Sequence, residues 1–258
     1  MKKNITTSEG GGDGQAASPQ GQAAQHQSEL DCSKCEARYR CLGEGLSEEQ
    51  LLGLRKITRT LGPFQPGEAI FRVEGKFKSL FVIQSGAAKI ETASFEGAKL
   101  VDGFFFRGDL VGLESIGAQQ YGHDAIALER TLVCELPFNQ LESLCSFVPR
   151  LQRKLLIILG QKIRYTNETI VHGRYVSGEK RLLFFLQMLC EKKIIKKNDN
   201  TGSVDLPMSK GDIASYLGLR PESLSRVLTK LQSDGIIRNH TKKIEFLDIK
   251  AILQQVCR

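Results

Sequence analysis

Residues 209–235 read SKGDIASYLGLRPESLSRVLTKLQSDG, and this stretch decides the fold of the C-terminal part of the chain. Ser209 is placed to cap a helix, with Asp212 at the cap-plus-three position of a capping box, where Glu or Gln is more usual. Ile213, Ala214 and Leu217 give that helix an apolar face. Gly218-Leu219 makes a turn, and Pro221 opens a second helix with Leu224, Val227, Leu228 and Leu231 facing inward. Gly235 ends it, and Ile236-Ile237 followed by residues 242–247 reads as a β-wing. With an apolar helix over 180–190 in front, the pattern predicts a winged helix-turn-helix within residues 177–258.

The second helix leaves Glu222, Ser225 and Arg226 pointing outward near its start. A recognition helix reads major-groove base edges with its N-terminal residues. Arg226 can donate two hydrogen bonds to guanine O6 and N7, Glu222 can accept from cytosine N4, and Ser225 suits a base edge or a thymine methyl. Lys210, Arg220, Lys230, Lys242 and Lys243 are candidates for phosphates, which give affinity and salt dependence but no sequence information. The net charge of +7 suits a polyanionic partner without requiring one. A winged helix used for protein contact, with these side chains merely solvated, is the alternative.

Upstream, residues 149–172 form a helical run opened by Pro149. Leu156, Leu159, Ile163, Thr166 and Ile170 recur at steps of three and four. That is a coiled-coil seam or the inner face of a helix packed on its own domain. Arg150, Arg153, Lys154, Lys162 and Arg164 read as the solvated face. Residues 46–145 read as mostly β, with strand-like runs at 69–73, 79–83, 87–92 and 98–104 and turns at Pro66-Gly67, Ser85-Gly86, Glu96-Gly97 and Gly108-Asp109. Such spacing predicts a sandwich or jelly-roll barrel. A later strand, 131–136, carries Cys134. Residues 1–30 are rich in Gly, Gln, Ala and Ser and are expected to be disordered.

The expected class is therefore α+β: a tail over 1–30, a cysteine loop and β-barrel over 31–148, a long helix over 149–176, and the winged domain over 177–258. A chain of 258 residues has room for this. An odd number of cysteines, seven, and no secretory apolar region near Met1 point to a reducing cytoplasm. No apolar run reaches the roughly 18 residues of a membrane span. His26, His123, His172 and His240 are scattered and form no catalytic constellation, so an enzyme is not expected.

Cys32, Cys35 and Cys41 form C-x2-C-x5-C. A short loop of this kind can wrap thiolates around one face of an iron–sulfur cluster, with a fourth ligand from elsewhere; Cys134 is a candidate. A zinc knot, a dithiol switch and chance, taken together, stand level with the cluster on spacing alone. Cys145, Cys190 and Cys257 read as small apolar residues, with Cys145 the spare fourth ligand.

The order of parts resembles the FNR branch of the CRP/FNR family of bacterial transcription regulators. The resemblance runs from about residue 30 to the C-terminus. It rests on C-x2-C-x5-C at Cys32 to Cys41, Val133-Cys134-Glu135-Leu136-Pro137-Phe138, Gly108-Asp109-Leu110-Val111-Gly112, and Gly211-Asp212-Ile213-x-x-Tyr216-Leu217-Gly218-Leu219 leading into Glu222-x-x-Ser225-Arg226. It implies an oxygen-labile [4Fe-4S] cluster on Cys32, Cys35, Cys41 and Cys134, and Glu222-x-x-Ser225-Arg226 reading TTGAT-like half-sites. It also implies a homodimer paired through the long helix on palindromic DNA, with RNA polymerase as partner. In this reading the cluster orders the cysteine loop, the loop sets the barrel against the long helix, and oxygen reverses this.

Two departures from the family pattern stand out. Some members carry an acidic residue in the seam where this chain has Thr166, so this protein is expected to dimerise more readily without its cluster. The loop 94–99, which in the family touches polymerase, has Glu96 but no Asp. Three alternatives remain. A cyclic-nucleotide regulator needs an Arg for the cyclic phosphate, and the comparable stretch here is His123-Asp124-Ala125, whose carboxylate repels phosphate. Zinc or thiol redox chemistry at the same cysteines would keep the DNA function and change the signal. An iron–sulfur electron carrier would leave the helix-turn-helix unexplained.

Overall fold

The computed structural model describes residues 32, 34–94, 97–193, 195–196 and 200–256. The tail 1–30, Ser33, Glu96 and Cys257 lie outside them.

A single 3-10 turn, Glu36–Tyr39, follows Cys35, and helix α1 (Glu48–Ile57) starts at a capping box in which Ser47 and Gln50 bond each other's backbone. Strands β1 (Arg59–Phe64), β2 (Ala69–Phe71), β3 (Ser79–Ser85), β4 (Ala87–Ala93), β5 (Lys99–Phe106), β6 (Leu110–Val111), β7 (Asp124–Ala127) and β8 (Thr131–Pro137) come next. Among the described residues they form two antiparallel sheets, ordered β1-β8-β3-β6 and β2-β7-β4-β5. Two facing sheets of this kind are a jelly roll. The glycines at the corners are structural: Gly86 turns β3 into β4 at φ +85°, and a Cβ there would stand 2.5 Å from Thr131 Oγ1.

Helix α2 (Phe138–Phe147) leads into α3 (Pro149–Tyr175). The stretch 46–145 is therefore less purely β than the glycine punctuation suggests, because α1 and α2 bracket the barrel. After α3 come α4 (Gly178–Lys193), β9 (Ile195–Lys196), β10 (Gly202–Asp205), α5 (Lys210–Tyr216), α6 (Pro221–Ser233), β11 (Ile237–Asn239), β12 (Lys243–Phe246) and α7 (Ile249–Val256). The expected helix-turn-helix and wing are both present: Ile213, Ala214, Leu217, Leu224, Leu228 and Leu231 are buried, and Gly218 and Gly235 take positive φ at the two helix ends.

Three apolar clusters hold these layers. One fills the barrel around Phe71, Phe81, Ile83 and Val133. A second joins Leu42 and Leu46 of the cysteine loop to Leu51 and Leu54 of α1, Cys134 and Leu136 of β8, Leu141 of α2 and Leu151 of α3. The third packs α4 to α7 around Phe185, Leu224 and Phe246 and continues into Val101, Phe104 and Phe106 of β5. The winged helix is thus docked on the barrel. The Phe104 ring lies 5.2 Å from Tyr216 and 5.9 Å from Phe185, and the Val101 amide donates to Ser215 Oγ at 3.0 Å.

Candidate cysteine site and nucleic-acid interface

The second cluster surrounds a small cavity of about 30 Å³, and Cys32, Cys35, Cys41 and Cys134 all line it. Its remaining wall is largely apolar, including Ala37, Leu42, Leu51, Leu54, Val82 and Leu136. Cys134 is fixed because β8 is held from both sides, opposite Thr60 of β1 and Val82 of β3. The loop is fixed at its far end by Leu42 and Leu46, both sunk in the core. The Gly43 amide donates to Cys41 Sγ at 3.3 Å, and a Cβ at Gly43 would crowd Leu51 at 3.1 Å and that sulfur at 3.4 Å. No disulfide forms among the described cysteines.

Burial pushes the Cys134 thiol far above its ordinary pKa, and the neighbouring Cys35, Cys32 and Cys41 add to this. Burial also raises Cys41, against the opposing Gly43 hydrogen bond. Cys134 and Cys41 therefore favour the protonated thiol, and a bound cation would have to take the proton's place there. Among the described residues no three His, Cys, Asp or Glu side chains form a group able to hold a single metal ion. The four thiols border a space rather than converge on a point. Cys145, the spare ligand, shares this core but does not line the cavity. Cys190, on α4, is partly buried against the winged-helix core instead.

The loop is also tied to its surroundings by charge. Glu36 bonds Arg107, Glu44 bonds Lys154 on α3, and Arg38 lies 3.2 Å from Glu48 of α1. Two members of the expected solvated face of α3 are thus not free in solvent. Lys154 is held by the cysteine loop. Lys162 sits 5.1 Å from the Phe105 ring centroid, with its pKa lowered by burial. On the opposite side of α3, Leu156 and Ile163 are each 62% exposed and Ile170 is 48% exposed, with Thr166 exposed between them. These three apolar residues repeat every seventh position, the heptad interval. Leu159 departs from the expected seam: it is half-buried against the core around the cysteines.

On α6, Glu222, Ser225 and Arg226 line one open face together with Pro221 and Thr229. Thr229 is not among the sequence candidates, although it lies four residues beyond Ser225 on the same helical face. Asp212 and Ser209 bond each other's backbone, so α5 has its capping box despite the shorter acid. Lys210, Arg220 and Lys242 are exposed. Lys230 is already paired with both Glu179 oxygens, at 2.8 and 2.7 Å, and Lys243 lies 3.7 Å from Glu245. A phosphate would have to compete with those carboxylates, so these two lysines are weaker candidates than their sequence positions suggest.

The stretch comparable to a cyclic-phosphate site is filled by the protein's own ion pairs. Asp124 accepts from Arg72 Nη1 at 3.0 Å and from the Val73 amide at 2.8 Å. His123 lies between Glu114, at 3.8 Å, and Asp102, at 3.9 Å. No helix among the described residues is long and apolar enough to cross a membrane.

Two family models match the chain: a Crp-like helix-turn-helix domain over residues 180–254 and a cyclic nucleotide-binding domain over 61–146. The transcriptional activator protein FnrA of Stutzerimonas stutzeri is 31% identical over 222 residues, covering 86% of this chain and 91% of that protein. The fumarate and nitrate reduction regulatory protein of Escherichia coli strain K12 is 31% identical over 225 residues, covering 87% and 90%. Among solved structures, FixK2 from Bradyrhizobium japonicum superposes with a TM-score of 0.66 at 22% identity, covering 76% of this chain and 95% of that one. A CRP/FNR family transcriptional regulator from Thermus thermophilus, TTHA1359, gives 0.62 at 20% identity, covering 78% and 98%.

Proposed function

The chain belongs to the CRP/FNR family of DNA-binding transcription regulators, with relatives of FNR type, and from that premise we propose that it couples an oxygen-labile [4Fe-4S] cluster to DNA binding. The observation that carries this reading is the meeting of four thiols from two distant segments in one largely apolar cavity. Cys32, Cys35, Cys41 and Cys134 would hold the cluster. The donors suit it: all four are thiols, and Cys41 receives an N–H hydrogen bond of the kind that tunes such sulfurs. The cavity as it stands is smaller than a four-iron cluster, so the fit lies in donors and wall rather than in volume. When bound, the group supplies an iron–sulfur core that molecular oxygen attacks.

The chain's own residues carry the rest. Leu42, Leu46, Cys134 and Leu151 share one core, so the order of the cysteine loop is felt at the start of α3. Glu44 and Lys154 reinforce the same contact. The exposed Leu156, Ile163 and Ile170 stripe pairs two α3 helices. A two-fold dimer sets its two recognition helices about one DNA turn apart, matching a palindrome of TTGAT-like half-sites. Glu222, Ser225 and Arg226 read bases there, and the complex engages RNA polymerase. The loop switches the system only to the extent that its ordered form favours the paired state over the unpaired one.

The test is DNA binding by anaerobically prepared protein to a duplex carrying that palindrome, before and after air. Binding that falls with the loss of iron supports the reading. Equal binding by iron-loaded and iron-free protein would remove the oxygen signal and leave the DNA-binding regulator.

A further inference from the structure

The cysteine loop touches the DNA-binding domain directly. Arg40, the residue before Cys41, reaches the C-terminal end of α4, where its Nη2 donates to the Glu191 carbonyl at 2.6 Å and its Nη1 to the Lys192 carbonyl. The last carbonyls of a helix have no partner within the helix and carry its negative dipole end, so a guanidinium is the cation suited to them. We infer that Arg40 is a positioning residue: from inside the cysteine loop it caps α4 and so sets the angle of the DNA-binding domain on the barrel, by a route that does not pass through the dimer helix.

Three neighbouring features make this a built joint. Lys192 Nζ bonds Asp109 Oδ2 at 2.8 Å, and the same oxygen accepts from the Phe106 amide at 2.9 Å. The α4 end is thus tied to the β5–β6 turn as well as to the loop. Gly108, in that turn, has φ +89°, and a Cβ there would stand 2.5 Å from the Arg40 Cβ. Close approach of Arg40 therefore needs glycine at that position. Finally, the Arg40 and Cys41 amides both bond the Ala37 carbonyl, so the turn that places the Cys41 sulfur also places the guanidinium. A loop that shifts at its cysteines shifts Arg40 with them.

At the other end of the same domain, Lys89 bonds Asp212 of α5 and Val101 bonds Ser215. Tyr165 of α3 bonds Tyr216 there as well, and of these described contacts only that of Arg40 comes from the cysteine loop.

This inference rests on the DNA-binding reading, which wild-type binding to the palindromic duplex tests by itself. The test of the inference compares iron-loaded wild type, Arg40→Ala and Arg40→Lys for iron content, dimer dissociation, DNA affinity over a salt series, and amide exchange at the end of α4. Arg40→Ala is expected to keep iron and dimer and to raise the Kd for DNA by about three- to tenfold, within the usual range of coupling between sites. The salt slope should not change, and exchange should quicken in the last turn of α4; Arg40→Lys should recover part of both losses. A Kd at the wild-type value with unchanged exchange overturns the inference, as does tighter binding. A salt slope reduced by about 1.8, one phosphate for each protomer, would make Arg40 a phosphate contact instead. Should Arg40→Ala lose iron, Gly108→Ala decides, since its added Cβ would push Arg40 away from the helix end from outside the loop. Weaker DNA binding by that variant upholds the inference, and wild-type binding overturns it.

Discussion

Lys89 of β4 lies 2.5 Å from Asp212 of α5 and 2.6 Å from Glu91, joining barrel and helix-turn-helix through one ammonium. Asp212 has two tasks there. It closes the capping box with Ser209, and it receives the barrel's only described ion pair to α5. Burial by itself raises its pKa, but the hydrogen bonds from Lys89 and Ser209 outweigh this and hold the carboxyl below its ordinary value.

A pH dependence follows from that direction. A carboxyl depressed by folding contributes stability that is fully present above the unfolded value, near 3.9, and is lost as pH falls through the lower folded value. Docking through Lys89 and Asp212 is therefore expected to be constant from neutral pH to about 5 and to weaken only below about 4. Asp212→Asn should cost about 1 kcal/mol at neutral pH and lose that acid limb, read as the difference between the two proteins in denaturant unfolding at each pH. A variant that tracks wild type in parallel across the whole range contradicts this.

Arg226 and Lys242 should fail differently on DNA. Arg226→Ala is expected to relax base preference at one position of each half-site, by about 1–3 kcal/mol. Lys242→Ala should weaken binding to all sequences alike and lower the salt slope by about 1.8, one phosphate for each protomer of the dimer. Affinities for the palindrome, for a single-base variant and for unrelated DNA over a salt series separate the two. Uniform weakening by Arg226→Ala would mean that it contacts phosphate.

The seam on α3 makes a third prediction. Ile163→Glu puts two charges together where the exposed stripe pairs, and should shift the iron-loaded protein to monomer in sedimentation at concentrations where wild type is a dimer. Leu159→Glu should instead unfold the region around the cysteines, because Leu159 packs inward. Thr166 places no charge in the seam, so some dimer is expected to persist after air; Thr166→Asp should abolish that remainder of dimer. Wild type that becomes wholly monomeric in air would refute the role given to Thr166.

How far the sequence alone reveals this protein depends on how local each signal is. The helix-turn-helix is legible because Ser209, Gly218, Pro221 and Gly235 punctuate it within one short stretch and its apolar residues keep helical spacing. The Ser47–Gln50 capping box of α1 is equally local, yet its glycine-rich neighbours make the region read as β. That Cys134 lines the same cavity as the other three cysteines is not in the spacing. Family resemblance suggests it, and only the pairing of β8 with β1 and β3 gives it a physical cause. Contacts between distant segments leave no local trace at all. Arg40 against α4 carries no signal in the sequence, Glu44 turns Lys154 from a solvated charge into a structural one, and Glu179 engages Lys230, which reads as a phosphate contact.

The central claim is that the four thiols hold an oxygen-labile cluster. The most direct measurement is iron and sulfide content with an absorption spectrum, on wild type and Cys134→Ala purified without air and then exposed to it. The account predicts a brown wild-type protein with about four irons per chain, bleached by air, and a Cys134→Ala protein that holds none stably. A colourless wild type that carries zinc or no metal after attempted cluster reconstitution would contradict it.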